Sequence, residues 1–134
     1  MTRRGFTAIE LLIVLVVVGA VLAIALPKTT EARERLRLDA AAHQLAGDLR
    51  RLQVEAIKHN QSGLFQRTGP TTYTLDFIGQ RTLSEPVSFA DESATQIRLA
   101  SFGPPVGGGA TFVIGSGTRS KAVAVSAAGL VTVQ

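Results

Sequence analysis

The feature that most restricts this chain lies near its beginning. From Phe6 to Leu26, 18 of 21 residues are apolar, and the exceptions are Thr7, Glu10 and Gly19. As a helix rising 1.5 Å per residue, such a stretch spans about 31 Å, the thickness of a bilayer's hydrocarbon core. In lipid every backbone N–H and C=O must be bonded within the segment. A helix is therefore nearly obligatory, even across the β-branched run Val16-Val17-Val18. There is one long apolar run, which excludes a polytopic membrane protein. The 134 residues include no cysteine, which excludes a disulfide-stapled miniprotein and leaves the redox compartment open. What remains beyond an anchor is about one small domain, too little for a multi-domain enzyme.

Three readings compete for residues 1–27. One is a secretory signal, with Arg3-Arg4 as its charged region and Ala23-Ile24-Ala25 as its cleavage site. The second is an uncleaved transmembrane anchor. The third is a segment cut between Gly5 and Phe6, with the apolar part retained. Length opposes the first, since signal-peptide cores run about 7–15 residues. Glu10 bears on the others. A carboxylate in a spanning helix costs about 2.5–3.5 kcal/mol near the bilayer centre and less near an interface. Four residues after Phe6, Glu10 is shallow. Either it snorkels to the headgroups, or it awaits a cation. A cut before Phe6 would create such a cation, a free α-amine at the end of the helix.

The run Arg3-Arg4-Gly5-Phe6-Thr7-Ala8-Ile9-Glu10-Leu11-Leu12-Ile13-Val14 resembles the type IV prepilin signature. That signature is a short basic leader ending in Gly, then Phe, then Glu at the fifth mature position, then a long apolar stretch. The resemblance implies that a prepilin peptidase cuts between Gly5 and Phe6 and methylates the new amine of Phe6. It implies that Glu10 pairs with the N-terminal amine of a neighbouring subunit in a filament. Gly19 and Pro27 fall where pilin-like helices carry a breaker and a kink. Gly weakens a helix interior by up to about 1 kcal/mol, and Pro removes an N–H and bends or ends the helix. Packing at Gly19 and a plain membrane exit at Pro27 explain them equally well. Lys28, Arg33, Arg35 and Arg37 follow the span. A positive-inside count would put that side in the cytoplasm, whereas the resemblance puts the leader there.

Residues 28–60 read as an amphipathic helix. Leu38, Ala42, Leu45, Leu49, Leu52 and Ala56 recur at three and four, and Arg35, Asp39, Arg50 and Arg51 lie opposite. Asn60, Ser62 and Gly63 stop it. Over 61–134 the period becomes two. Tyr73, Leu75 and Phe77 alternate with polar residues, as do Ile97 and Leu99, Phe112 and Ile114, Val123 and Val125, and Val131 and Val133. Gly-rich breaks separate them. The expected fold is α+β. A long N-terminal helix, transmembrane over 6–27 and amphipathic over 28–60, packs on an antiparallel β-sheet head that is too small to stand without the helix stripe.

Segments in the head narrow the resemblance to the GspH/FimT family of minor pseudopilins. They are Ala46 through Ile57, Phe102-Gly103-Pro104 before a Gly-rich turn, and the final strand from Val125 to Val133. DNA-binding members on the pilus branch carry Gly-Arg-x-Arg in the last strand. Here it reads Gly129-Leu130-Val131-Thr132, which lowers a DNA-uptake role.

Catalytic constellations are absent from the sequence. His43 and His59 would lie about 24 Å apart on one helix, too far to share a metal or a proton. Gly115 through Lys121 lacks the Gly-Lys-Ser/Thr order of a phosphate loop and reads as a strand connection. Asp91-Glu92 reads as a solvated turn. The formal charge is +4 and the pI about 10.3, and losing Arg3 and Arg4 would lower the charge by two. The candidate nucleic-acid contacts are Arg98, Arg119 and Lys121 in the head, with Arg67 and Arg81 dispersed, and strands could bring Arg98 and Lys121 together. One Tyr leaves little to stack on single strands.

The sequence thus leads to a structural subunit without enzymatic activity or cofactor. The resemblance implies a minor pseudopilin of a type II secretion system, held single-pass in a bacterial inner membrane with its head in the periplasm or exterior. Its partners would be prepilin peptidase, membrane lipid and other pilins or pseudopilins. The alternatives are a minor type IV pilin in pilus assembly or DNA uptake, and a membrane-anchored or exported binding domain that does not assemble.

Overall fold

The computed structural model describes residues 7–134, with backbone alone for 24–29. Gly5 and Phe6, the expected cleavage and methylation positions, lie outside the described residues. Contacts divide the chain into two units, Met1–Arg35 and Leu36–Gln134, and each is described by itself.

Helix α1 runs from Ala8 to His59 and crosses the boundary between the units. In the first unit its side chains from Ala8 to Ala23 are all exposed. Among the described residues no helix is long and apolar enough to cross a membrane. The span expected over 6–27 falls partly outside the described set. The described apolar part, from Ala8 to Ala23, is about 24 Å long at helical rise. Pro27 lies within α1, and its side chain is among those not described.

In the second unit the helix buries the stripe read from the sequence. Leu38 is 3% exposed, and Ala42, Leu45, Leu49, Leu52 and Ala56 are fully buried. Asn60 ends the helix in the left-handed region, at φ 51°. Its N–H donates to Ile57 O at 3.1 Å, and the Gln61 N–H donates to Ala56 O at 3.0 Å. This is a Schellman closure with Asn in the place Gly usually takes. Three residues on, Gly63 sits against the helix. A Cβ there would stand 2.7 Å from Leu52 Cδ1, so a larger residue at this start of the first strand would make the Leu52 side chain shift.

Eight strands follow: β1 (Gly63–Arg67), β2 (Thr72–Leu75), β3 (Gly79–Thr82), β4 (Ser88–Phe89), β5 (Gln96–Leu99), β6 (Ala110–Ser116), β7 (Arg119–Val125) and β8 (Val131–Val133). They form two antiparallel sheets, ordered β3-β2-β1-β5 and β4-β6-β7-β8. The sequence implied one sheet, and the structure has two. Phe65 of β1 meets Phe112 of β6 at 4.6 Å between centroids and Tyr73 of β2 at 5.2 Å, so aromatic packing joins the sheets over the helix stripe.

Period-two alternation located five strands and overran one. Tyr73 and Leu75 are buried, but the strand ends at Leu75, and Phe77 occupies a turn at φ 67° with 44% exposure. Strand β3 had no such signature because all four of its residues are exposed. The segment that resembled a phosphate loop is the β6–β7 hairpin. Ser116 pairs with Arg119 across a two-residue turn in which Gly117 has φ 62°.

Candidate functional site

At the start of α1, Thr7 and Glu10 form a reciprocal cap. The Thr7 N–H and hydroxyl both donate to Glu10 Oε2 at 3.0 Å, and the Glu10 N–H donates to Thr7 Oγ1 at 3.3 Å. The first intrahelical bond follows, from Leu11 N–H to Thr7 O at 3.3 Å. A helix start leaves N–H groups without intrahelical partners, and this capping box satisfies two of them. Its signature, Thr7-x-x-Glu10, is visible in the sequence but was overshadowed by the charge of Glu10. The carboxylate thus has a local role in the single chain. Beyond it stand eleven large apolar side chains between Ile9 and Leu22, each 48–68% exposed. At about 1.5–3 kcal/mol per fully buried side chain, they hold on the order of 15–30 kcal/mol of unrealised burial. Burying that surface against any other apolar surface would be strongly favourable. Among the described residues no atom beyond the helix's own backbone stands within 4 Å of a Cβ placed on Gly19.

The polar residues of the head helix tie it to both sheets. Fully buried Tyr73 donates through its hydroxyl to Asp48 Oδ2 at 2.7 Å and accepts from Gln44 Nε2 at 3.4 Å. Burial, then the Asp48 carboxylate, push the phenol well above its ordinary pKa. Gln53 Nε2 donates to Gly129 O at 2.6 Å and Gly103 O at 3.4 Å, and Arg50 Nη2 donates to Val131 O at 2.8 Å. Arg50, read as part of a charged outer face, therefore holds the last strand. Sequence reasoning did not identify Gln44, Asp48 or Gln53, because their partners lie 25 or more residues away.

The basic residues do not converge. Lys121 Nζ is 2.6 Å from Asp39 Oδ1, whereas Arg98 Nη1 reaches Ser62 Oγ at 3.4 Å. Asp39 and the end of α1 at His59 are about 30 Å apart along the helix. Arg98 and Lys121, which strands could have brought together, lie on different sheets, at opposite ends of the head helix. Arg119 lies at the β6–β7 turn, and Arg67 donates to Ala90 O at 2.9 Å. His43 is exposed, and His59 stacks on Phe77 at 4.8 Å. Asp91 and Glu92 sit in an exposed turn. Among the described residues no group of three His, Asp or Glu side chains could hold a metal ion.

No protein-family model matches the chain. It is 48% identical over 60 residues to the pilin-like protein PilA1 of Thermus thermophilus, a match spanning 45% of this chain and 37% of that protein. The type IV minor pilin FimU of Pseudomonas aeruginosa has a similar structure in two crystal forms. One gives a TM-score of 0.66 at 15% identity, covering 75% of this chain and 90% of FimU. The other gives 0.63 at 14% identity, covering 72% and 92%. The chain therefore has a type IV pilin-like fold, and a pilin-like protein is its homologue over the matched part.

Proposed function

We propose that this chain is a minor, non-enzymatic subunit of a type IV pilin-like filament. Prepilin peptidase cuts after Gly5, the new amine of Phe6 is methylated, and residues 6–27 hold the subunit in the inner membrane until it is extracted into the filament. The observation that carries this reading is the exposed apolar helix from Ile9 to Leu22, with its single acid Glu10 at the start, on a chain whose fold resembles FimU. Packing many such helices side by side gives the filament its cohesion. Glu10 fixes the stagger, because only one register sets it beside a neighbour's amine, and the penalty for an unpaired carboxylate in an apolar layer enforces that register.

The likeness to FimU and PilA1 supports a pilus. The resemblance of Ala46 through Ile57 to GspH/FimT helices supports a type II secretion pseudopilus as the second reading. Dispersal of Arg98, Arg119 and Lys121 gives no support to a DNA-uptake role.

The test is Glu10→Ala against Glu10→Gln in cells that build the filament. Both variants should be cleaved normally, and both should fall at least about tenfold in the sheared filament fraction, as expected for losing a charge pair in an apolar layer. Normal incorporation of both would refute the pairing.

A further inference from the structure

Among the described residues, Phe102 is the most exposed large apolar side chain, at 77%. The turn that carries it is tied down on both sides. The Ala100 N–H donates to Pro104 O at 2.8 Å, the Gly103 N–H to Ala100 O at 3.0 Å, and the Val106 N–H to Arg98 O at 2.7 Å. Gly103 takes φ 107°, and its carbonyl accepts from Gln53 Nε2 of α1 at 3.4 Å. A side chain on a turn fixed in this way is offered in one place, so burying it in a partner costs little ordering entropy.

Phe102 does not stand alone. A Cβ on Gly103 would lie 3.7 Å from Ile57 Cδ1, and one on Gly129 would lie 3.2 Å from Gly103 O. Ile57 is therefore beside the turn, and Leu130 comes directly after Gly129. Val54 precedes Ile57 by three residues and shares its face of the helix. Val54, Ile57 and Leu130 are 61%, 53% and 64% exposed. Four such side chains present on the order of 400 Å² of apolar surface, a size at which a patch on a monomer is often functional. The charges around the patch have one sign. Residues 99–118 and 126–134 carry no charged side chain, and Arg50, Arg51 and Lys58 lie three or four residues from Val54 on the helix. The nearby acid, Glu55, is half-buried and engaged by Lys58 at 3.4 Å and His59 at 3.5 Å.

We propose that this patch, with Phe102 as its anchor, packs against the head of an unlike neighbouring subunit that offers an apolar socket rimmed by carboxylates. The proposal rests on the filament reading above. Three observations select the occupant. A prominent aromatic ring on a fixed turn fits a pocket rather than a flat surface. The basic rim calls for acids opposite, and a two-fold contact between copies of this chain would set Arg51 and Lys58 against their own kind. A complex that stands by itself buries about 800 Å² per partner, well above this patch. The patch therefore suffices against a neighbour already held in place by its helix, as adjacent subunits of a filament are.

The experiment uses the full chain in cells that build the filament. The photo-crosslinking residue p-benzoylphenylalanine is placed at position 102, or at position 80 on the exposed strand β3. Sheared filaments are irradiated and the adducts identified by mass spectrometry. Position 102 should give an adduct with one other subunit, beside Asp or Glu side chains, in at least about tenfold higher yield than position 80. Arg51→Glu, added to the position-102 chain, should lower that yield at least about fivefold, because like charges then face each other. The amount of native chain in the sheared fraction reads the filament role separately. Chain present in filaments without an adduct would overturn the contact alone. So would an adduct with a second copy or with lipid, equal yields at the two positions, or a yield unmoved by Arg51→Glu. Absence of the native chain from filaments would overturn the filament reading, and this contact with it.

Discussion

Tyr73 shows what a single residue contributes here. Its ring fills the core, and its hydroxyl links β2 to Asp48 on the helix. Tyr73→Phe should cost about 1–2 kcal/mol at neutral pH, because the half-buried Asp48 carboxylate loses its donor. The folded phenol titrates above its unfolded value near 10. The contribution is therefore complete below pH 10 and is lost as pH rises toward the folded value. Between those limits the advantage of the native residue should shrink by about 1.4 kcal/mol per pH unit. Urea unfolding of both proteins at pH 8 and pH 11 checks the sign. Gly129 is a second such point. It has φ 86°, and a Cβ would lie 3.2 Å from Gly103 O and Pro104 Cα. Gly129→Ala should lower stability by about 1–3 kcal/mol, read as a fall in the unfolding midpoint. At this scale the sequence marked Tyr73 as inward-facing by its alternation. It could not show the link to Asp48, which exists only once the helix lies on the sheet.

Among the elements, the head half of α1 was the most legible, because its burial follows from its own spacing. Leu45 is fully buried at the centre of the stripe, and Leu45→Ala should cost about 2–5 kcal/mol. Gly47, two residues on, is exposed and has nothing within 4 Å of a Cβ. Gly47→Ala should therefore stabilise by about 0.5–1 kcal/mol through helix propensity. Denaturant curves of the two variants should move in opposite directions. The strands were legible where one face is buried. β3 escaped notice because it is exposed throughout, and Phe77 misled because an aromatic ring at strand spacing also fits a turn, here stacked on His59. The division into two sheets was not legible. It is set by which strands pair across long connections, such as β1 with β5, and alternation carries no information about that.

For the whole molecule, the first and last parts of α1 differ in what covers them. The helix from Leu38 to Ala56 finds its cover within the head, and the large apolar side chains from Ile9 to Leu22 stay 48–68% exposed among the described residues. In the proposed function, that surface and the capped acid at its start exchange lipid for other helices. The proposed exchange begins with a cut before Phe6. Mass spectrometry of the N-terminal peptide from the native polypeptide tests it directly. The predicted result is a first residue of Phe6 carrying one methyl group on its α-amine. A peptide still bearing Met1, or one beginning at Leu26, would contradict it.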